Sequence, residues 1–172
     1  MRVRRTLAAL LAAPCVLSAC GGGDTSVADP PVSNSPTSSA PTTKPAHESP
    51  EHFIRRWAAA EKRMENTGET GPYLAISRGC RACRQLADDI RHFYSRGGFA
   101  RWKGWRIQAI SRDAVNGSSS VFDVQVSSSP TTYRESAYGP IKHLRGGSAT
   151  HQLTLRSTGT GWQVTQKAQL AQ

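Results

Sequence analysis

The sequence predicts an α+β fold in which N-terminal helices pack inside a curved antiparallel sheet, a cone-like roll. Two observations lead to this class. Apolar residues recur at helical spacing over residues 53–64 and 83–94. After Gly98 the pattern changes to alternation, most clearly over residues 121–126. Because helices come first and strands follow, the order favours an α+β domain over an alternating α/β one.

Three helical segments are expected before the strands. Ser49 and Pro50 mark the start of the first, because a hydroxyl side chain caps a helix and Pro suits its first position. This helix is expected to end near Gly68. A short helix or turn follows over residues 72–77. A third helix with an apolar stripe ends at Gly97.

A meander of strands is expected after the helices. The first strand spans residues 105–113, and Asn116-Gly117 then forms a hairpin turn because both residues tolerate positive φ. A weaker strand is expected over residues 133–138, and a polar loop over residues 139–147. The inward positions expected in the last two strands are Leu153, Leu155, Trp162, Val164 and Gln166.

Five segments together resemble one protein family: Phe53-Ile54-Arg55-Arg56-Trp57, Thr67-Gly68-Glu69-Thr70, Cys80-Arg81-Ala82-Cys83, Tyr94-Ser95-Arg96-Gly97-Gly98 and Trp102 to Trp105. Their order is similar to that in a family of actinobacterial lipoproteins with a domain of unknown function. The resemblance covers roughly residues 51 to 168. It implies a fold similar to the nuclear transport factor 2-like, or cystatin-like, cone. It implies a fold and a location but no activity, because proteins of one fold differ widely in function.

The N-terminus has the layout of a secretory signal peptide over residues 1–19. Three arginines precede a short apolar run from Leu7 to Leu17, which is too short to span a bilayer comfortably. The Leu17-Ser18-Ala19-Cys20 sequence that follows resembles a bacterial lipobox. The resemblance implies a lipoprotein with acyl chains such as palmitate on Cys20, anchored at the extracytoplasmic face of the cell membrane.

A tether is expected over residues 20–50, and a single folded domain over residues 51–172. The tether is rich in Pro, Ser, Thr and Gly and has no aromatic residue, so it is expected to be disordered. The domain holds all the Trp, Tyr and Phe residues, with eighteen Lys or Arg against nine Asp or Glu. Most of the chain's net charge of +10 therefore belongs to the domain.

Cys80 and Cys83 are expected to form a disulfide, since thiols outside the cytoplasm are usually oxidised. The bridge would fix the turn between the second and third helices. A redox role is the alternative, because a helix N-terminus and nearby arginines lower the pKa of a thiol. A metal site is disfavoured, since no second pair of ligands stands at a recognisable spacing.

The domain has a basic surface that could contact anionic lipid or cell-wall polymer. Nine basic residues lie between residues 78 and 112, against two acids. A solvated surface without a partner is the alternative. No nucleic-acid recognition motif is present, and the location disfavours nucleic acid. The candidate contacts are Arg78, Arg81, Arg84, Arg91, Arg96, Arg101, Lys103 and Arg106.

No catalytic motif stands out in the sequence. Asp88 and His92 are one helical turn apart and could pair on the surface, whereas Asp123 is expected to face solvent. His151 shares the inward parity of Leu153. No catalytic residue, cofactor or metal is assigned. If the cone is open inside, the residues expected to line it are Trp57, Tyr73, Phe93, Phe122, His151 and Trp162.

Three functions therefore remain open. The first is a noncatalytic binding or scaffolding module at the cell envelope, whose partner is the membrane, a wall component or an envelope protein. The second is a domain that binds a small molecule or acts as an enzyme through the cone's interior. The third is a thiol-disulfide protein that uses Cys80 and Cys83. A filled interior would favour the first, and an open cavity with converging polar groups the second.

Overall fold

The computed structural model describes residues 48–171. Three helices lead the described chain: α1 (Pro50–Thr67), α2 (Gly71–Ala75) and α3 (Arg81–Ser95). Seven strands follow: β1 (Phe99–Arg101), β2 (Trp105–Asn116), β3 (Ser119–Ser128), β4 (Thr131–Arg134), β5 (Lys142–Leu144), β6 (Gly147–Thr158) and β7 (Gly161–Gln169). The predicted α+β class, with helices first and antiparallel strands after them, is confirmed.

The predicted signal peptide over residues 1–19, Cys20 and the tether up to residue 47 lie outside the described residues. Among residues 48–171, no helix has the length and apolar character needed to cross a bilayer. Glu48 and Ser49, which the sequence assigns to the tether, belong to the folded part. The Glu48 carboxylate binds the Arg56 guanidinium at 2.7 and 2.9 Å, and this bond lowers the pKa of Glu48 to about 2.

Helix α1 begins and ends where the sequence indicates. The Ser49 hydroxyl accepts a hydrogen bond from the His52 amide, and Pro50 occupies the first turn. At the other end, Gly68 adopts a φ of 78°, and its amide donates to the Met64 carbonyl. That left-handed conformation explains why glycine stands there.

The strands form two antiparallel sheets instead of the single sheet expected. One has the order β1-β4-β5 and the other the order β2-β3-β6-β7. The sequence pattern missed β1 and β5, which have only three residues each and show no useful alternation. Segment 139–147, expected to be a polar loop, therefore contains β5 and the first residue of β6. The strand expected over residues 133–138 is β4, which ends at Arg134. Beyond it, the Ala137 amide donates to the Arg96 carbonyl and makes no ladder hydrogen bond with a neighbouring strand.

The core lies between the helices and the four-stranded sheet. Phe122, Val124 and Val126 on β3 are buried, as their alternation predicts, and Phe122 pairs with buried Leu153 on β6. Phe53 and Trp57 from α1 are fully buried in the same cluster; its other members include Ile54, Met64, Tyr73, Leu155 and Val164. Burial of each such side chain stabilises the fold by about 1.5–3 kcal/mol.

A disulfide joins Cys80 to Cys83, as predicted. Both residues are buried, and the Cys80 sulfur accepts a hydrogen bond from the Cys83 amide, so that Cys80 also caps α3. The chain-entropy model assigns about 2 kcal/mol of stabilisation to so short a loop. The bridge therefore fixes the start of α3, the helix that forms one wall of the cleft described next.

Candidate functional site

A cleft of about 540 Å³ opens between α1, α3 and both sheets. Aromatic rings of Phe93, Trp102, Trp105 and Tyr133 form much of its wall, and the Phe93 and Tyr133 rings stack at 5.8 Å. Its acidic and basic lining groups are Glu61, Glu65, Asp89, Glu135, Arg145 and Lys167. The lining therefore combines an aromatic wall with several polar groups, and polar groups that converge beside aromatic surface are a feature of small-molecule sites.

A buried ion pair connects α1 to β7 at this cleft. The Lys167 ammonium lies 2.8 and 3.0 Å from the two carboxylate oxygens of Glu61, whose side chain is only 2% exposed. The Tyr73 hydroxyl donates to the same carboxylate at 3.0 Å. Burial raises the pKa of Tyr73 well above its ordinary value, so the phenol stays a neutral donor. Glu61 is thus neutralised and hydrogen-bonded without any ligand.

Aromatic rings surround the Lys167 ammonium. Its nitrogen lies 4.8 Å from the centre of the Trp105 ring and 5.4 Å from that of Trp57. Both distances fall within the range of cation–π attraction. The Trp57 indole donates to the Ser77 hydroxyl at 2.9 Å, which holds the ring in place. The side chains at this end of the cleft are therefore fixed from several directions.

Glu65 follows Glu61 by one helical turn and also lines the cleft. Within residues 48–171, its carboxyl group makes no hydrogen bond and no ion pair. Burial, with the nearby charge of Glu61, raises the pKa of Glu65 to about 8. At neutral pH this carboxyl group is mostly protonated, so it can donate a hydrogen bond to a molecule in the cleft or exchange a proton with it.

His151 packs behind the cleft. Its ring stacks on Trp105 at 4.5 Å, with only 3° between the two planes. The His151 Nδ1 is buried, and no described residue forms a hydrogen bond with it. Burial and the charge of Lys167 lower the pKa of His151, which keeps the imidazole neutral. The histidine therefore supports the Trp105 wall.

The structure brings together some of the residues expected inside the cone. Phe93 lines the cleft, and buried Trp57 and Tyr73 contact the groups at its base. Phe122 lies in the hydrophobic core, outside the lining. Trp162 is at the opposite end of β7, where its indole donates to the Glu48 carbonyl at 2.9 Å.

Sequence reasoning missed Glu61, Glu65 and Lys167. A signal for Glu61 exists, since it stands one turn after Trp57 within the buried stripe of α1. The alternation of apolar and polar residues along β7 could not have predicted that Lys167 faces inward. The β6–β7 register shifts next to Leu155, so Lys167 pairs with buried Leu153, and Gln166, expected to face inward, is exposed.

The ionisable groups considered as catalytic candidates have other partners. Asp88 binds Arg91 at 2.7 Å instead of His92, and His92 lies 3.1 Å from the Arg96 guanidinium. Asp123, half-buried, accepts a hydrogen bond from Gln152 at 3.3 Å. Across residues 48–171, no cluster of three or more His, Cys, Asp or Glu side chains is arranged to hold a metal ion.

The eight basic residues predicted to contact an anionic surface are all exposed. They occupy three regions of the chain. One region is the start of α3, one its C-terminal half, and one the β1–β2 segment. Arg91 also donates to the Thr70 hydroxyl at 2.9 Å, which fixes its guanidinium against the α2 region.

Comparisons with known proteins show similarity in fold alone. The intermembrane space region of the chloroplast protein ARC6 matches with a TM-score of 0.53 at 12% identity, covering 71% of this chain and 94% of that one. Aln2 from a Streptomyces species has a TM-score of 0.45 at 12% identity, with 72% and 92% covered.

An NTF2-like protein with a cystatin-like fold from Novosphingobium aromaticivorans also matches. Its TM-score is 0.40 at 12% identity, and the match covers 69% of this chain and 79% of that one. No family model and no curated protein matches the sequence. The described chain thus has an α+β fold shared with the ARC6 region, while the lipoprotein family remains a prediction.

Glu65 should make the stability of the protein depend on pH. Because its pKa in the folded chain, about 8, lies above its ordinary value of 4.5, the folded chain binds the extra proton between these pH values. The contribution of Glu65 to the free energy of unfolding is complete below its ordinary pKa of 4.5 and is lost as pH rises through about 8. Glu65→Gln should remove this loss, so the variant should gain stability relative to wild type as pH rises.

Urea unfolding at a series of pH values between about 4 and 9 measures this difference. Glu69→Gln is the matched control, since that carboxyl is exposed and bonded to Arg63 on the surface. Parallel stability curves for wild type and Glu65→Gln would contradict the assignment.

Proposed function

We propose that this protein is a membrane-anchored extracytoplasmic binding module with a cone-like, NTF2-like domain, and that its cleft holds a small molecule. The cleft carries the proposal, because about 540 Å³ of open space meets fixed polar groups at an aromatic wall. This observation favours the second of the three functions over a filled scaffolding domain. In this proposal, the predicted lipid anchor on Cys20 holds the ligand-binding domain at the membrane.

The chemistry of the cleft suits an amphiphilic ligand with a flat apolar part. Trp102, Trp105 and Tyr133 offer ring surfaces, and the Glu65 carboxyl offers a hydrogen bond that no described residue uses. Glu61 and Lys167 already neutralise each other. At the base of the cleft, a ligand group that only hydrogen-bonds therefore fits better than a charged one, whose desolvation the Glu61–Lys167 pair would not compensate.

A catalytic role is the second candidate, and Glu65 is the observation that favours it. A carboxyl group with a pKa of about 8 can give or take a proton near neutral pH. No observation favours thiol-disulfide exchange, since the Cys80–Cys83 bridge is buried and exchange needs an accessible sulfur.

The proposed anchor accounts for the N-terminal sequence. Acylation of Cys20 would hold the chain at the membrane, and residues 21–47 would then separate the domain from the lipid. A flexible segment of this length spans roughly 30 Å on average. The exposed basic residues would then lie within reach of anionic lipid or wall polymer, and an envelope protein is a further partner to consider.

Lipidation of Cys20 is tested by labelling cells with an alkyne fatty acid. Wild-type protein should carry the label and fractionate with membranes, whereas Cys20→Ser should lose both. Cys15→Ser is the matched control, because Cys15 lies within the predicted signal peptide and should be removed with it. An unlabelled wild-type protein that retains Met1 would rule out the anchor.

The ligand is tested by native mass spectrometry of protein released gently from its own membranes. Wild type should retain a small molecule, and Leu86→Trp should lose most of it because the larger side chain fills the cleft from α3. Val115→Trp is the control, since it enlarges an exposed side chain on β2. Equal retention by the two variants, or none by wild type, would refute a cleft ligand.

A further inference from the structure

Exposed apolar side chains are concentrated in one short segment of the described chain. Tyr138 is fully exposed, and Ile141 and Leu144 are 58% and 56% exposed. Within residues 48–171, the one other large apolar side chain with comparable exposure is Val115, at 58%, on β2. Exposed apolar surface that is concentrated in one region of a domain marks a contact site for a protein, a membrane or a ligand.

The loop that precedes β5 is attached to the rest of the domain. The Ala137 amide donates to the Arg96 carbonyl at 2.8 Å, and the Gly139 amide donates to the Ser136 carbonyl at 3.1 Å. A side chain at Gly98 would collide with the Arg134 carbonyl, so the chain after α3 lies directly against this region. Tyr138 and Ile141 are therefore presented on an anchored loop.

Cations accompany these apolar residues. Residues 134–145 contain Arg134, Lys142 and Arg145 against the single acid Glu135. The Lys142 ammonium is paired with Glu135 at 2.7 Å, so the excess positive charge of the segment comes from Arg134 and Arg145. Leu144 and Arg145 also line the cleft, so the segment borders its mouth.

We propose that residues 138–145 dock the domain onto an anionic lipid bilayer. Tyr138, Ile141 and Leu144 would enter the interfacial layer, where a tyrosine ring with an apolar body and a polar tip is favoured. Arg145 would face lipid phosphates and contribute on the order of 1 kcal/mol near such a surface. Lys142 would join it by exchanging its Glu135 partner for a phosphate. A bilayer fits better than a protein partner, because cations alternate with the exposed apolar residues and the domain over residues 51–172 holds eighteen Lys or Arg against nine Asp or Glu. Docking in this way places the mouth of the cleft beside the membrane.

Vesicle flotation tests the docking surface directly. The protein is the chain from residue 20 onward with Cys20→Ser, so that no acyl chain contributes to binding. It is mixed with vesicles of phosphatidylcholine alone, or of equal parts phosphatidylcholine and phosphatidylglycerol. Wild type should float with the anionic vesicles and much less with the neutral ones. Raised salt should weaken the binding.

Two variants separate the apolar and charged contributions. Tyr138→Ser with Ile141→Ser should weaken binding roughly tenfold, since burial of the two side chains is lost. Lys142→Gln with Arg145→Gln should flatten the salt dependence. Val115→Ser is the control for the apolar variant, because Val115 is as exposed as Ile141. Arg55→Gln combined with Arg156→Gln is the control for the charge variant, because it changes the net charge by the same amount at exposed positions elsewhere. Thermal unfolding confirms that each variant is folded.

Three results would overturn the proposal. The first is equal binding to neutral and anionic vesicles at low salt, and the second is an equal loss of vesicle binding in the matched control variants. The third is that the variants in residues 138–145 abolish self-association of the protein but leave vesicle binding unchanged. Leu144 and Arg145 line the cleft but Tyr138 and Ile141 do not, so the variant Tyr138→Ser with Ile141→Ser tests docking without altering the cleft lining. A variant that loses vesicle binding but retains the ligand would separate the two proposals.

Discussion

The Lys167 ammonium is the buried charge through which helix α1 is paired with the larger sheet. A charge removed from water is expensive unless it is paired, and here the pairing is extensive. Glu61 supplies both carboxylate oxygens, Tyr73 donates to the same carboxylate, and the rings of Trp57 and Trp105 face the ammonium. These contacts come from α1, the α2 region, β2 and β7. Moving α1 away from the sheet would leave a buried charge without its partner, which would destabilise the fold. The pair therefore fixes where α1 lies on the sheet and defines one end of the cleft.

The cleft follows from this arrangement. The ion pair occupies its base, while Glu65, one turn further along α1, faces the open space with no partner in the described chain. An aromatic wall and one protonated carboxyl group suit an amphiphile better than a multiply charged ligand. The proposed docking segment stands at the mouth of the same cleft. If Cys20 is acylated, the domain remains close to the bilayer, so an amphiphile could move between membrane and cleft without crossing bulk water.

The sequence predicted the local elements well because their signals are local. Ser49, Pro50 and Gly68 bound α1, and the alternation of β3 matches its burial. The β2–β3 hairpin is also where Asn116-Gly117 predicts it, but its turn is Gly117-Ser118, one residue later, because Asn116 still pairs with Ser119. The paired cysteines likewise form their bridge. Lys167 was beyond such reasoning, since the shift in register beside Leu155 reverses the parity of β7. β1 and β5 were missed because three-residue strands are defined by their partners and have too few residues to show a period.

The most direct test of the account is a double-mutant cycle on Glu61 and Lys167, measured by urea unfolding. Glu61→Gln retains an acceptor for Tyr73, and Lys167→Met retains an apolar stem against the tryptophans. Each single change should destabilise the protein by about 3–5 kcal/mol, because it leaves a buried charge unpaired. The double variant should be more stable than the sum of the two losses predicts, by well over 1 kcal/mol. The exposed Arg63–Glu69 pair, at 2.8 Å, is the control and should couple by less than about 1 kcal/mol. Additive losses at Glu61 and Lys167, within about 0.5 kcal/mol, would contradict the account.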